Sequence, residues 1–276
     1  MPHRTDIFLQ PLRLEGCEIQ IESQWLSAQS RSEPSIDRRR PLIVFLHEGL
    51  GSLSQWKDFP QRLCEAAGCR GLLFSRPGYG HSTPRTEPWP QDYLQRQARG
   101  LLPAYFDALG LQCEPLFLFG HSDGASLALL FAAYFPARVR ALVALAPHLF
   151  VEPTTITGLR AAKTAYEQEP SALKAALRRH HANTDSAFYG WNDAWLRPGF
   201  EGGWNIEADL KTLACPVLAL QGVDDEYATL AQIEAIRRIH APTRLVALPH
   251  CGHAPHKDQA ETVIAQTLVL LQEIGA

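Results

Sequence analysis

The chain has 276 residues, 46% of them hydrophobic and 20% charged, a balance that suits a folded globular protein and excludes a disordered or fibrous one. Its 26 Lys and Arg nearly offset 29 Asp and Glu, leaving a net charge of −3 and no electrostatic reason to expect nucleic acid or an anionic membrane as partner. No apolar run approaches the roughly 18 residues of a membrane span. Residues 1–10 hold Arg4 and Asp6 and lack the apolar core of an export signal. Six cysteines lie far apart with no C-x-x-C pair, so reduced thiols in a cytoplasm are expected, with neither a disulfide scaffold nor a zinc ribbon.

In chain order, apolar runs at 8–14 and 17–26 flank Glu15-Gly16 and predict an opening hairpin, with Pro11 restricting the first strand to a sheet edge. Residues 27–40 are polar and read as an exposed loop, and Arg38-Arg39-Arg40 within it reads as a solvated basic face. Strands are then predicted at 42–46, 71–74, 116–119, 141–145, 217–220 and 244–248. These runs are continuously apolar, as in strands covered on both faces. Helices are predicted between them at 53–67, 92–109, 123–134, 230–239 and 259–274. Strand alternating with helix predicts a mostly parallel sheet flanked by helices.

One interval breaks that rhythm. Between 147 and 213 the pattern is helical, at 157–168, 172–181 and 186–195, with no strand run, and it is longer than one crossover helix needs. Trp191, Trp195 and Trp204 fall there. Such a concentration of rings predicts either an apolar lining over a pocket or a satellite core that packs them away.

The most informative residues are Gly120-His121-Ser122-Asp123-Gly124, between the strand at 116–119 and the helix from 123. A G-x-S-x-G at a strand–turn–helix junction is a nucleophile elbow, so tight that the positions two before and two after the serine must be small. Ser122 is the candidate nucleophile. A serine hydroxyl needs a base, and the base a carboxylate to orient it, following the serine in the order acid, then histidine. Asp224 and Asp225 lie just past the strand at 217–220, and His250, His253 and His256 follow the last strand. All these loops open on the carboxyl edge of the sheet. Metal binding by the three histidines is not expected, because Gly252 and Pro255 interrupt any regular face. The glycine-rich turn His47-Glu48-Gly49-Leu50-Gly51 after the strand at 42–46 can aim a backbone N–H at an oxyanion.

These motifs together resemble the α/β-hydrolase family, of the capped, cofactor-independent kind, over nearly the whole chain. Gly222-x-x-Asp225 resembles the family's G-x-x-D and selects Asp225 over Asp224, and Gly252-His253 resembles its G-H and selects His253. Arg76-Pro77-Gly78-Tyr79-Gly80-His81-Ser82 resembles its R-G-x-G-x-S turn, with Pro77 at a glycine-like position. Ser122-Asp123-Gly124 resembles the branch of biphenyl-hydrolase-like and valacyclovir hydrolases. The resemblance implies an eight-stranded, mostly parallel sheet formed by 1–147 and 213–276, with a helical cap at 148–212 inserted after the sixth strand.

It also implies a Ser122–His253–Asp225 triad cleaving a small carboxylic ester or related acyl compound through an acyl-enzyme, with no metal or organic cofactor. The Gly49 and Asp123 amides form the oxyanion hole. The family usually carries Gly where this chain has Glu48, which puts a carboxylate beside the hole. Glu48, Trp191, Trp195 and Trp204 are candidate substrate-binding residues. Glu48 and Asp123 bracketing the hole would hold a substrate ammonium, unless Asp123 merely suits the start of its helix. Two alternatives remain at this point: a carbon–carbon bond hydrolase of ring-cleavage products on the same triad, and a non-catalytic receptor or scaffold that kept the fold.

Overall fold

A computed structural model describes residues 7–27, 39–85, 87–201 and 203–275. Most of the predicted loop at 27–40, including Arg38, lies outside the described residues. Eight strands form one sheet: β1 (Phe8–Leu14), β2 (Cys17–Leu26), β3 (Leu42–Leu46), β4 (Arg70–Phe74), β5 (Leu116–His121), β6 (Val139–Leu145), β7 (Val217–Gly222) and β8 (Arg244–Leu248). Their order is β1-β2-β4-β3-β5-β6-β7-β8. β1 and β2 run antiparallel and β3 to β8 parallel. The opening hairpin turns at Glu15 and Gly16, both at positive φ (50° and 83°), the geometry that matches the twist of a two-residue hairpin loop. Pro11 sits in β1 at the sheet edge, where a missing N–H costs no ladder bond.

The helices are α1 (Phe59–Ala67), α2 (Tyr93–Arg96), α3 (Leu102–Ala108), α4 (Asp123–Tyr134), α5 (Pro153–Glu167), α6 (Ala172–Leu177), α7 (Thr184–Trp195), α8 (Pro198–Glu201), α9 (Ala231–Ile239), α10 (Pro255–Asp258) and α11 (Ala260–Glu273). They cover the sheet on both faces. Along β3, Leu42, Val44 and Leu46 join one core with α3, α4 and α9, while Ile43 and Phe45 join a second with α1 and α11. That alternation explains why the central strands read as unbroken apolar runs: both faces are dry. α4 is buried from Asp123 to Ala133 on every side, which accounts for its apolar sequence lacking a polar face.

Two predicted helices are interrupted. The run 53–67 is split by Lys57 at φ 54° into a short 3₁₀ turn (Leu53–Trp56) and α1, whose second residue, Pro60, suits a helix start. The run 92–109 contains a π-turn at Gln97–Leu101 between α2 and α3. Pro103 lies just beyond and has no N–H to bond Arg99 four residues back, which favours the looser turn.

Among the described residues between β6 and β7 stand the helices α5 to α8 and no strand. Local capping starts three of them: Glu152 and Thr155 form a reciprocal box at α5, Ser171 Oγ accepts from Lys174 N at α6, and Asn183 Oδ1 accepts from Ser186 N at α7. His181 ties this segment to the core. Its Nδ1 accepts from Gly80 N (3.0 Å), so Nε2 carries the proton and donates to Leu50 O (2.9 Å). No helix among the described residues is long and apolar enough to cross a membrane, and all six cysteines are unpaired.

Candidate active site

The loops after β3, β5, β6, β7 and β8 meet at the carboxyl edge of the sheet. At their centre Ser122 sits at φ 54°, ψ −121°, a conformation that a side chain tolerates only under constraint. The constraint is steric. A methyl on Gly124 would lie 2.0 Å from Leu46 O, and one on Gly120 would lie 2.4 Å from Gly124 O, so only glycine lets α4 leave the sheet this sharply. The Ser122 N–H donates to Leu145 O (2.9 Å), closing the turn onto β6.

Ser122 Oγ lies 2.9 Å from His253 Nε2, and His253 Nδ1 lies 2.8 and 2.9 Å from the two Asp225 oxygens. Asp225 also accepts from Gln221 Nε2 (2.5 Å) and Tyr227 N (2.8 Å), which hold its plane. The neighbouring Asp224 is exposed and its N–H donates to Cys251 O (3.0 Å), so of the two acids it is Asp225 that meets His253. Burial disfavours the Asp225 anion, but hydrogen bonding and attraction from His253, with the Tyr227 N–H, outweigh it and hold the carboxyl below its ordinary range. For His253, burial lowers the pKa while the Asp225 bond and charge, then Glu48 and Glu226, raise it, and the balance is upward from 6.5. His250 and His256 do not join them: His256 packs at a tilt against Trp56 behind the site, and His250 makes the turn after β8 at φ 53°.

The Gly49 amide is aimed by its own peptide. Glu48 O accepts from three donors on the core side: His47 Nδ1 (2.7 Å), Arg76 Nη2 (3.0 Å) and Gly51 N (3.1 Å). In a planar trans peptide the N–H points opposite the carbonyl, so pinning Glu48 O turns Gly49 N–H toward the cavity that Gly49 lines. His47 Nε2 accepts from Arg76 N (2.9 Å), which fixes the tautomer that donates to Glu48 O. The Asp123 N–H opens α4 and, as a first-turn amide, has no partner within the helix. Both amides are therefore placed to receive negative charge at an oxygen bound beside Ser122.

Neither carboxylate beside the hole stands alone. Asp123 Oδ2 accepts from Tyr93 OH (2.6 Å) and lies 3.5 Å from Arg76 Nη2, while Oδ1 has no hydrogen-bond partner. Burial raises the Asp123 pKa against the pull of Arg76 and Tyr93. Glu48 Oε2 lies 3.2 Å from His121 Nδ1, and Oε1 lies 3.6 Å from Lys257 Nζ. His121 Nε2 donates to His253 O (2.7 Å), because a carbonyl only accepts, so Glu48 lies against a ring that is tied to the histidine loop.

Above Ser122 opens a cavity of about 220 Å³. Trp191 and Trp195 from α7 form its wall, with Leu159, Leu173 and Leu177 from α5 and α6. Trp191 packs so closely on the oxyanion turn that a methyl on Gly49 would fall 2.1 Å from its Nε1. Trp204 is not part of the wall. It is 4% exposed and packs on Trp195 (5.2 Å) and Phe200 (5.0 Å), which corrects the expectation that all three indoles line the pocket. Arg76, Tyr93, His121 and His148 also belong to the site and are not among the candidates the sequence assigns. For His121 and Arg76 the signal was present in the motifs that contain them, while Tyr93 and His148 carry no local pattern.

The chain belongs to the alpha/beta hydrolase family, which matches it over residues 43–266, and it is a hydrolase. It is 26% identical over 249 residues to sn-1-specific diacylglycerol lipase ABHD11 of Mus musculus, an alignment covering 82% of this chain and 79% of that protein. Among solved structures, an esterase from Thermogutta terrifontis with malate bound superposes with a TM-score of 0.71 at 18% identity, covering 99% of this chain and 100% of that one. VinJ superposes with a TM-score of 0.74 at 20% identity, covering 99% and 100%. Identities that low speak for a shared fold.

Proposed function

We propose that this hydrolase is a serine esterase that cleaves a small carboxylic ester bearing no negative charge, by way of an acyl-enzyme. The observation that carries the reading is the unbroken chain Ser122 Oγ, His253 Nε2, His253 Nδ1 and Asp225 at hydrogen-bond distances on a strained elbow. In this reading Ser122 Oγ attacks the ester carbonyl carbon while His253 Nε2 takes the hydroxyl proton. Asp225 keeps the proton on Nδ1 and stabilises the imidazolium. The carbonyl oxygen, now an oxyanion, accepts from the Gly49 and Asp123 N–H groups. Collapse breaks the bond to the alkoxy oxygen, which leaves with the proton from Nε2, and a water molecule repeats the sequence to free the acid.

The charge rule follows from the lining. Among the described residues the cavity wall contains Glu48 and Asp123 but no Lys or Arg, so an acid anion would enter without a cation to meet it. That disfavours the carbon–carbon hydrolase alternative, whose ring-cleavage substrates are acids. In the same reading α5 to α8 act as a cap that sets substrate size, and the partner is a small molecule. The ester-cleaving lipase and esterase among the relatives point the same way.

The test is a fluorophosphonate probe together with a panel of neutral esters and one vinylogous dienone acid. The reading expects stoichiometric labelling at Ser122 and turnover of the esters. A protein that neither labels nor turns over any ester removes the serine-esterase reading, and one that cleaves only the dienone acid is a carbon–carbon hydrolase.

A further inference from the structure

One guanidinium stands behind both amides of the oxyanion hole. Arg76 follows β4, is fully buried and is not part of the cavity wall, so it acts on a substrate only through other groups. Its Nη2 donates to Glu48 O (3.0 Å) and lies 3.5 Å from Asp123 Oδ2. The Glu48 carbonyl belongs to the peptide that carries the Gly49 N–H, and Asp123 carries the second N–H itself. Two further contacts hold the guanidinium there. Gln97 Oε1, in the π-turn, accepts from Nη1 (3.2 Å), and the Tyr79 ring lies 4.9 Å from Cζ.

A buried charge is a poor device for stability alone. Taking a guanidinium out of water is costly, one carboxylate at 3.5 Å returns only part of that, and an apolar side chain often serves a fold as well. At the hole the charge has a use. A cation bonded to a peptide carbonyl draws electron density from the amide, which makes the N–H on its far side a stronger donor. Of the three donors to Glu48 O, Arg76 is the charged one. Gly51 contributes a backbone amide, and burial, with the Arg76 charge, holds the His47 ring well below its usual range and so neutral at pH 7. On the other side, Arg76 offsets a carboxylate on the very residue whose N–H must receive negative charge.

We propose that Arg76 is a positioning residue that holds and polarises both oxyanion donors, through the Glu48 carbonyl on one side and the Asp123 carboxylate on the other. The inference rests on the ester-hydrolase reading and adds to it a charge that acts mainly on the transition state. A ground-state carbonyl oxygen carries little of the charge an oxyanion does, so the effect belongs in kcat rather than KM.

The test compares Arg76→Gln, which keeps an N–H donor without the charge, with Arg76→Lys, which keeps the charge. Rates on the fastest neutral ester are taken per serine labelled at the end of a fluorophosphonate reaction, so misfolded protein does not count. Arg76→Gln is expected to lose about 10- to 100-fold in kcat with KM within threefold, less than deleting an oxyanion donor outright. Arg76→Lys should be at least threefold faster than Arg76→Gln. A trifluoromethyl ketone matched to the ester gives the second readout. Ser122 Oγ adds to its carbonyl carbon, the π pair moves onto oxygen in the hole, and the hydroxyl proton passes to His253 Nε2. Its inhibition constant should rise in Arg76→Gln by about the factor by which kcat falls. That of the matching secondary alcohol, which forms no oxyanion, should not move.

Should Arg76→Gln fail to fold, its combination with Asp123→Asn leaves no unpaired buried charge, and a kcat at least threefold below that of Asp123→Asn alone is expected. In an enzyme that labels at Ser122 and cleaves the ester, a glutamine variant within threefold of wild-type kcat overturns this inference and leaves the esterase reading standing. So does a loss confined to KM, a lysine variant no faster than the glutamine one, or equal weakening of ketone and alcohol. Absence of both labelling and turnover in the wild type removes the esterase reading and this inference with it.

Discussion

The core edge that carries Ser122 and the helices that cover it are built by different means. At the core edge the backbone does the fixing: a residue at φ 54°, a glycine with 2.0 Å of clearance, a carbonyl held by three donors. In α5 to α8 the side chains do it: Tyr166 stacks on Phe188 at 3.7 Å, and Trp195, Phe200 and Trp204 close a ring cluster. Backbone clearances cannot relax around a new atom, whereas packed side chains accept volume-conserving exchanges for under about 1.5 kcal/mol. In the proposed reading, chemistry is thus placed where the chain cannot vary, and selection where it can.

The sharpest break of that contrast is at the elbow. Ser122→Ala is expected to lower ester kcat/KM by on the order of 10⁴-fold or more, with the melting temperature within a degree or two of wild type. Near-native turnover in a preparation free of contaminating esterases would end the triad assignment. Next is Asp225→Asn, expected to cost about 10³- to 10⁴-fold because the imidazole loses its tautomer and its counter-charge. Asp224→Asn, exposed and outside the relay, should stay within about threefold. Comparable losses in the two would move the acid elsewhere.

The pH profile follows from the same pair. Only the neutral His253 ring can take the Ser122 proton, and its pKa is raised from 6.5. The kcat/KM of the wild type should therefore fall as pH drops through a value above 6.5, about tenfold for each further unit. Asp225→Asn should shift that inflection downward. A rate that holds level from pH 8 to pH 5 contradicts His253 as the base.

Within the covering helices the expected effects are smaller and divide by position. Trp204→Ala removes a ring buried against Trp195 and Phe200 and should cost about 3–5 kcal/mol of stability, read by denaturant unfolding. Trp191→Ala removes a wall of the cavity and should change KM and the preferred acyl length by about tenfold while Ser122 still labels. If Trp191→Ala only destabilises, Trp191 belongs with Trp204 in the satellite core.

The same contrast explains what could be read from the chain. The central strands show as apolar runs because the sheet there is dry on both faces. Ser122 shows because a tight turn demands small residues at fixed spacing, whereas Asp225 and His253 are picked out from their neighbours by family resemblance. Lys57 at positive φ and the π-turn before Pro103 broke helices that periodicity alone runs together. Trp204 and Trp191 look alike in sequence, since both are indoles in a helical stretch. Only the packing of α7 against the Gly49 turn separates them. His148 and Tyr93 reach the site by three-dimensional closure across 26 or more positions from Ser122, with no spacing rule to announce them.

The smallest effect concerns Asp123, where the two regions touch. Its Oδ2 is taken by Tyr93 OH, which in turn accepts from Trp195 Nε1 (3.0 Å) in α7, and Arg76 supplies a counter-charge at 3.5 Å. Its Oδ1 is buried with no exposure to solvent. A substrate ammonium in the cavity would meet the field of a carboxylate whose charge Arg76 has largely offset, not a free oxygen. The preference for an α-amino ester over its uncharged isostere is therefore expected at no more than about three- to tenfold, far below that of an unscreened ion pair. Asp123→Asn should abolish it, and should also leave Arg76 buried without its anion, a loss visible as lowered stability. Equal kcat/KM for the two esters in both forms would reduce the Asp123 side chain to the counter-ion of Arg76 at the start of α4, where a negative charge stabilises the helix by about 0.3–1 kcal/mol.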